Sequence, residues 1–122
     1  MTVVICEDDK NLLQLIELIL SDLDIRIIKC ADDITLRDII KNNDIDLLVI
    51  DYWLKQVKAD EVIKEIQNSN PELPIILMSA ISNLSEVRER LKVNDYLKKP
   101  FDIDIFKSKV TSYLYDTQNR NN

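Results

Sequence analysis

The chain has 122 residues, 46% hydrophobic and 31% charged, which suits one globular domain with a core large enough to fold alone. Its formal net charge of −6 argues against nucleic acid as a direct partner, because phosphate backbones demand neutralising Lys and Arg. No apolar run approaches the roughly 18 to 20 residues of a membrane span and no basic-then-apolar leader opens the chain, so a cytoplasmic location without membrane contact is expected.

Two absences narrow the chemistry. The chain has no His, the commonest general base and metal ligand. It also has no Gly, so its turns are expected to rest on Asn, Asp, Ser and Pro. Its two cysteines, Cys6 and Cys30, each close an apolar strand-like run. Buried inert thiols are favoured over a disulfide or redox pair.

In chain order, "VVIC" at 3–6 reads as a buried strand that runs straight into Glu7, Asp8 and Asp9. Three adjacent carboxylates repel one another, so a cation is expected among them. Asp9 is better placed to start the following helix than to bind metal, since negative charge is favourable at that end. That helix is expected over 10–23. Its leucines and isoleucines cover more surface than one core stripe needs, and Leu13 and Leu15 are favoured as part of a docking face. A second strand is expected at 25–29, then a helix capped by Asp33 with Leu36, Ile39 and Ile40 inward. A third strand, 47–50, ends on Asp51. Val62, Ile63 and Ile66 mark a third helix, and 75–78 a fourth strand ending at Ser79. Asn83 with Glu86 resembles a capping box for a fourth helix. A short fifth strand at 96–97 leads to Lys98 and Lys99. Asp102 is placed to cap a last helix carrying Phe106, Val110, Tyr113 and Leu114. The organisation is one unit over 1–116 and a polar tail over 117–122.

Continuous apolar strands alternating with amphipathic helices predict an α/β fold, a doubly wound five-stranded parallel sheet. Ligands of such sheets bind beyond the carboxyl ends of the strands. Glu7, Asp8, Asp51, Ser79 and Lys99 all fall at that edge. Hard oxygen ligands with room for waters suit Mg²⁺. A carboxylate nucleophile beside Mg²⁺ and an ammonium is equipped to accept a phosphoryl group.

The segments "VVICEDD", "DLLVIDYWL", "PIILMSA" and "DYLKKPF", in this order, resemble the receiver domain of two-component response regulators, with chemotaxis receivers as the pattern. The resemblance implies a flavodoxin-like (βα)5 fold with strand order 2-1-3-4-5. It implies an acidic pair Glu7 and Asp8, a phosphoacceptor Asp51, a switch hydroxyl Ser79, a switch aromatic Tyr96 and a conserved lysine Lys99. Mg²⁺ would be held by Glu7, Asp8, Asp51 and the backbone carbonyl of Trp53. The implied donor is a histidine kinase or histidine phosphotransfer protein. The implied recipient is a downstream target or output domain reading the face of the fourth helix, fifth strand and fifth helix; a homodimer on phosphorylation is left open by the sequence. Beyond self-catalysed phosphorylation and slow autodephosphorylation no enzyme activity is implied. A cis Lys99–Pro100 bond is implied as well.

Taken alone, Ser79 reads as an ordinary turn hydroxyl, Tyr96 as a packing residue and Trp53 as a surface aromatic. The loop after Asp51, "YWLKQVKADE", lacks the proline and aspartate-glycine pair usual in the family. Lys92, Val93 and Asn94 replace its small-residue turn. The segment from Ser79 to Tyr96 is about two residues short, so a truncated or reoriented fourth helix is expected. These departures keep open a pseudo-receiver that binds partners constitutively. Trp53 and Ile81 flank the path of an attacking water, and their bulk is expected to slow dephosphorylation.

Overall fold

The computed structural model describes residues 1–115, and the tail expected over 117–122 lies outside them. The elements in chain order are β1 (Thr2–Cys6), α1 (Lys10–Ile19), β2 (Arg26–Cys30), α2 (Asp33–Asn42), β3 (Leu47–Asp51), β4 (Trp53–Leu54), β5 (Val57–Lys58), α3 (Asp60–Ser69), β6 (Ile75–Ser79), α4 (Leu84–Leu91), β7 (Asp95–Lys98) and α5 (Ile103–Tyr115). Five strands form one parallel sheet in the order β2-β1-β3-β6-β7. With β6 and β7 counted as the fourth and fifth core strands, this is the expected order 2-1-3-4-5.

Alternation along the strands divides the core in two. Val4, Cys6, Leu48, Ile50, Ile75 and Leu77 point to one face, where Leu36, Val62, Ile63, Ile66, Val87 and Leu91 of α2, α3 and α4 cover them. Val3, Ile5, Leu47, Val49, Ile76 and Met78 point to the other, beneath Ile16 of α1 and Phe106, Val110 and Leu114 of α5. Burial on both faces is why these strands are apolar throughout rather than alternating. Both cysteines are buried free thiols on neighbouring strands, in register.

The helix ends show where local signals hold. Asp9, in extended backbone, accepts the N–H groups of Asn11 and Leu12 and caps α1. Asp102 does the same for Asp104 and Ile105 at the start of α5. Three expectations need correction. The first helix ends at Ile19, not residue 23, because the chain tightens into turns in which Ser21 N–H bonds Leu18 and Leu23 N–H bonds Leu20. Asp32, not Asp33, caps α2 through the Thr35 N–H at 2.7 Å, while Asp33 pairs with Arg37 inside the first turn. At α4, Asn83 lies at φ −101°, ψ 32°, outside the extended geometry that aims a cap, and its side chain makes no capping bond. At eight residues α4 is the shortest described helix, in line with the short segment that encodes it.

The rule on turns also fails. Among the described residues, those with positive φ are Lys55 (48°), Gln56 (68°) and Lys92 (57°), none of them Asn or Asp. Lys55 and Gln56 form the two-residue loop of an antiparallel β4–β5 hairpin, with Trp53 opposite Lys58 and Leu54 opposite Val57. Two consecutive left-handed residues define the mirror-image turn that suits hairpins. Tertiary anchors hold it in place: Leu54 is buried, the Ala59 N–H reaches the Tyr52 carbonyl, and the Lys55 N–H reaches Asp8. A Lys55→Asn, Gln56→Gly variant should gain about 1 kcal/mol, read from its denaturation midpoint, because those residues adopt this turn with less strain.

Candidate functional site

The carboxyl ends of β1, β3, β6 and β7 lie on one edge of the sheet, and each delivers a polar side chain there. Glu7 is fully buried just after β1. Asp51 and Ser79, the last residues of β3 and β6, are 6% and 3% exposed. Lys99 follows β7, its N–H bonded to the Ser79 carbonyl, and the Lys99–Pro100 peptide is cis as expected.

The Lys99 ammonium bridges two carboxylates, donating to Asp51 Oδ2 at 2.6 Å and to Glu7 Oε1. The other oxygens are held as well. Glu7 Oε2 accepts the Asp9 N–H at 3.1 Å, Asp51 Oδ1 the Trp53 N–H at 3.1 Å, and Asp8 Oδ2 the Lys55 N–H at 3.1 Å. Glu7, Asp8 and Asp51 each offer an oxygen within 4.8 Å of the other two. The spatial grouping expected of Glu7, Asp8, Asp51 and Lys99 is thus present in the fold.

Charge in this cluster is unevenly tolerated. Burial pushes the Glu7 carboxyl up to about 7, aided by the Asp51 charge and opposed by the hydrogen bonds from Lys99 and Asp9. Burial also acts against the charged form of Asp8, but the hydrogen bonds of Glu7 and the Lys55 N–H hold its carboxyl below the usual range. For Lys99, desolvation is outweighed by Asp51 and Glu7, which raise the ammonium above its ordinary value. The donor set of three hard oxygens, two shielded and one exposed, fits a small divalent cation that keeps several waters.

The remaining expected residues border this cluster. Ser79 Oγ accepts the Ile81 N–H at 3.3 Å. A cavity of about 360 Å³ opens over Asp51 between Trp53, Ser79, Ala80, Ile81 and Lys99. Tyr96 is half-buried on β7 against the α2–α3–α4 side of the core. Leu15 and Leu18 of α1 are exposed, whereas Leu13 is half-buried.

Two contacts escaped the sequence reading. One is the Asp8–Lys55 backbone bond, 47 residues apart. The other joins Tyr52, Asp60 and Arg90, where the Tyr52 hydroxyl donates to Asp60 at 2.6 Å and the Arg90 guanidinium donates to both. Neither spacing follows a helical or strand period, so no local pattern announces them.

The family model described as the response regulator receiver domain matches residues 3–111. The chain belongs to that family. Among curated relatives, the transcriptional regulatory protein ZraR of Klebsiella oxytoca is 25% identical, over 95% of this chain and 27% of its own length. The response regulator GtcR of Aneurinibacillus migulanus is 28% identical, over 83% of this chain and 42% of its own. The chain spans 17% to 51% of the length of the curated relatives it matches. Among solved structures, the receiver domain of Francisella response regulator 1452 aligns with a TM-score of 0.84 at 28% identity, covering 95% of this chain and 98% of that one. A CheY-like receiver domain protein from Methanospirillum hungatei shares the fold with a TM-score of 0.87 at 20% identity, covering 99% and 98%. Receiver domains are the phosphoacceptor modules of two-component signalling, generally bind Mg²⁺ in an acidic pocket, and work with histidine kinases and output domains rather than as ordinary enzymes. Among the described residues, no helix is long and apolar enough to cross a membrane.

Proposed function

We propose that this receiver domain takes a phosphoryl group from a phosphohistidine onto Asp51 and that the product remodels the face of α4, β7 and α5. The observation that carries the reading is the Lys99 ammonium bridging Asp51 and Glu7, with Asp8 alongside. An oxygen of Asp51 attacks phosphorus and forms an acyl phosphate as the phosphorus–nitrogen bond to the donor imidazole breaks. Lys99 neutralises charge on the transferred oxygens, and the Trp53 N–H orients Asp51. Glu7, Asp8, Asp51 and the Trp53 carbonyl would hold Mg²⁺, which when bound screens the negative charge gathered around phosphorus. Ser79, freed from the Ile81 N–H, is placed to donate to the new phosphoryl oxygen. The Tyr96 ring then turns toward the space it leaves. The donor is a histidine kinase or histidine phosphotransfer protein; the recipient is an output domain, another protein or a second copy of the chain.

Mass spectrometry after treatment with acetyl phosphate and Mg²⁺ tests the reading. A single phosphoryl adduct mapping to Asp51 supports it. An unmodified chain under conditions that preserve the fold favours a constitutive binding module instead.

Mg²⁺ binding should depend on pH. The Glu7 carboxyl titrates near 7 in the fold against an ordinary 4.5. Its proton therefore stabilises the metal-free protein below about 4.5, and that contribution is lost as pH rises to about 7. The cation competes with this proton, so its affinity should climb with pH and level off above 7. At ten times its dissociation constant Mg²⁺ should add about 1.4 kcal/mol of stability. The melting-temperature gain at fixed millimolar Mg²⁺ should be larger at pH 8 than at pH 6, and a Glu7→Gln variant should flatten the difference.

Trp53 and Ile81 line the opening through which water reaches the acyl phosphate. A Trp53→Asn, Ile81→Ala variant should shorten the phosphoryl lifetime on the order of tenfold, since an ordered path for water favours in-line attack. Decay of the adduct measured over time checks this.

A further inference from the structure

α4 is held unevenly. Its amino-terminal end begins five residues after Ser79 and lacks a side-chain cap. Its carboxyl-terminal end is tied to α3 twice: the Gln67 amide donates to the Leu91 carbonyl at 2.9 Å, and Arg90 donates to Asp60. Arg90 also donates to the Tyr52 hydroxyl at 3.2 Å, and that hydroxyl donates to Asp60 at 2.6 Å. Three elements therefore meet in one closed triangle of hydrogen bonds. Tyr52 directly follows Asp51, Asp60 opens α3, and Arg90 is the penultimate residue of α4. Tyr52 is 4% exposed, so its hydroxyl has little water to fall back on if the triangle opens.

The triangle is closed in the arrangement where Asp51 is a carboxylate held by Lys99 and Ser79 Oγ accepts the Ile81 N–H. A rigid shift of α4 against α3 stretches the Arg90–Asp60 pair and strips Tyr52 of one partner. From this geometry we infer that Tyr52, Asp60 and Arg90 form a latch that holds α4 in its unphosphorylated position and sets how strongly the domain resists switching. The inference rests on Asp51 as phosphoacceptor and adds the residues that tune its equilibrium. All three are positioning residues; none touches the reacting atoms. The electrostatics agree with a closed latch: despite burial, Tyr52 and Arg90 hold the Asp60 carboxyl below its ordinary range, and burial raises the Tyr52 phenol.

A ligand that favours the switched state binds more tightly once the competing state loses stabilisation. Beryllofluoride with Mg²⁺, a phosphoryl mimic, is the probe, and the chain's single tryptophan, Trp53, beside Asp51, is the fluorophore. Arg90→Ala and Tyr52→Phe should each bind beryllofluoride about two- to tenfold more tightly than wild type, the range expected for a partly exposed charged pair coupled to a two-state element. The double variant should gain no more than the larger single, because both changes open one triangle. Arg90→Lys, which keeps a cation for Asp60, should return most of the wild-type affinity. Tyr52→Phe retains the buried ring, so the test survives if Arg90→Ala folds poorly. Affinities at or below wild type in both variants would overturn the latch, even with a lowered melting temperature, since that pattern marks a purely structural role. A wild-type chain that is folded yet indifferent to beryllofluoride would instead sink the phosphoacceptor reading, and the latch with it.

Discussion

Asp51→Asn should carry no phosphoryl group under conditions in which the wild-type chain is modified, with the loss read by intact mass. The amide matches the carboxylate in shape and its oxygen still accepts the Trp53 N–H that fixes Asp51 in the fold. What disappears is the anionic oxygen, the nucleophile of the reaction and one arm of the Lys99 bridge. Lys99 keeps its contact with Glu7, so the strand ends stay together and the fold should survive. A variant that still acquires the adduct at the wild-type level would place the acceptor elsewhere. Asp8 would then be the first residue to examine, because it shares the cluster and faces solvent.

Lys99→Ala should damage both stability and transfer, and Mg²⁺ should separate the two effects. The ammonium is the one side-chain cation bonded directly to Glu7 and Asp51 among the described residues. Removing it leaves buried carboxylates facing one another, a change worth about 3 kcal/mol of destabilisation where no relief is available. Relief is available at Glu7, which already titrates near 7 and can take a proton, so about 2 kcal/mol is the expected loss at neutral pH. Millimolar Mg²⁺ should restore most of that stability by replacing the missing charge. It should not restore the rate. Lys99 is aimed at the Asp51 oxygen, and a preorganised donor of this kind is worth about a hundredfold or more in transfer. Chemical denaturation with and without Mg²⁺, paired with adduct formation rates, gives both numbers. Full recovery of the rate in Mg²⁺ would reduce Lys99 to a structural counterion.

Much of this was readable from residue order because the relevant physics is local. Apolar runs at 3–6, 47–50 and 75–78 had to be strands covered on both faces, and each ended on the residue that reaches the site. Asp9 and Asp102 behaved as caps because a short polar side chain before a helix has amide groups within reach. The same reasoning failed at Asn83, where backbone angles set by the preceding loop turn the side chain away, and at Asp33, where its neighbour Asp32 took the role. Asp51, Glu7 and Lys99 were legible as a group because parallel strands bring their carboxyl ends to one edge.

By itself, then, the sequence determined the five core strands, most helices and the residue types gathered at the sheet's carboxyl edge, since each depends on periodicity, capping and strand direction, while the order of the strands followed only from the resemblance to receiver domains. Tertiary structure alone decided the Lys55–Gln56 hairpin, whose left-handed residues run against intrinsic preference and persist through a buried Leu54 and a bond to Asp8. It alone decided the Tyr52–Asp60–Arg90 triangle and the elevated Glu7 carboxyl. These depend on distances across 30 or more residues and on exclusion from water, quantities with no counterpart in the linear order of side chains.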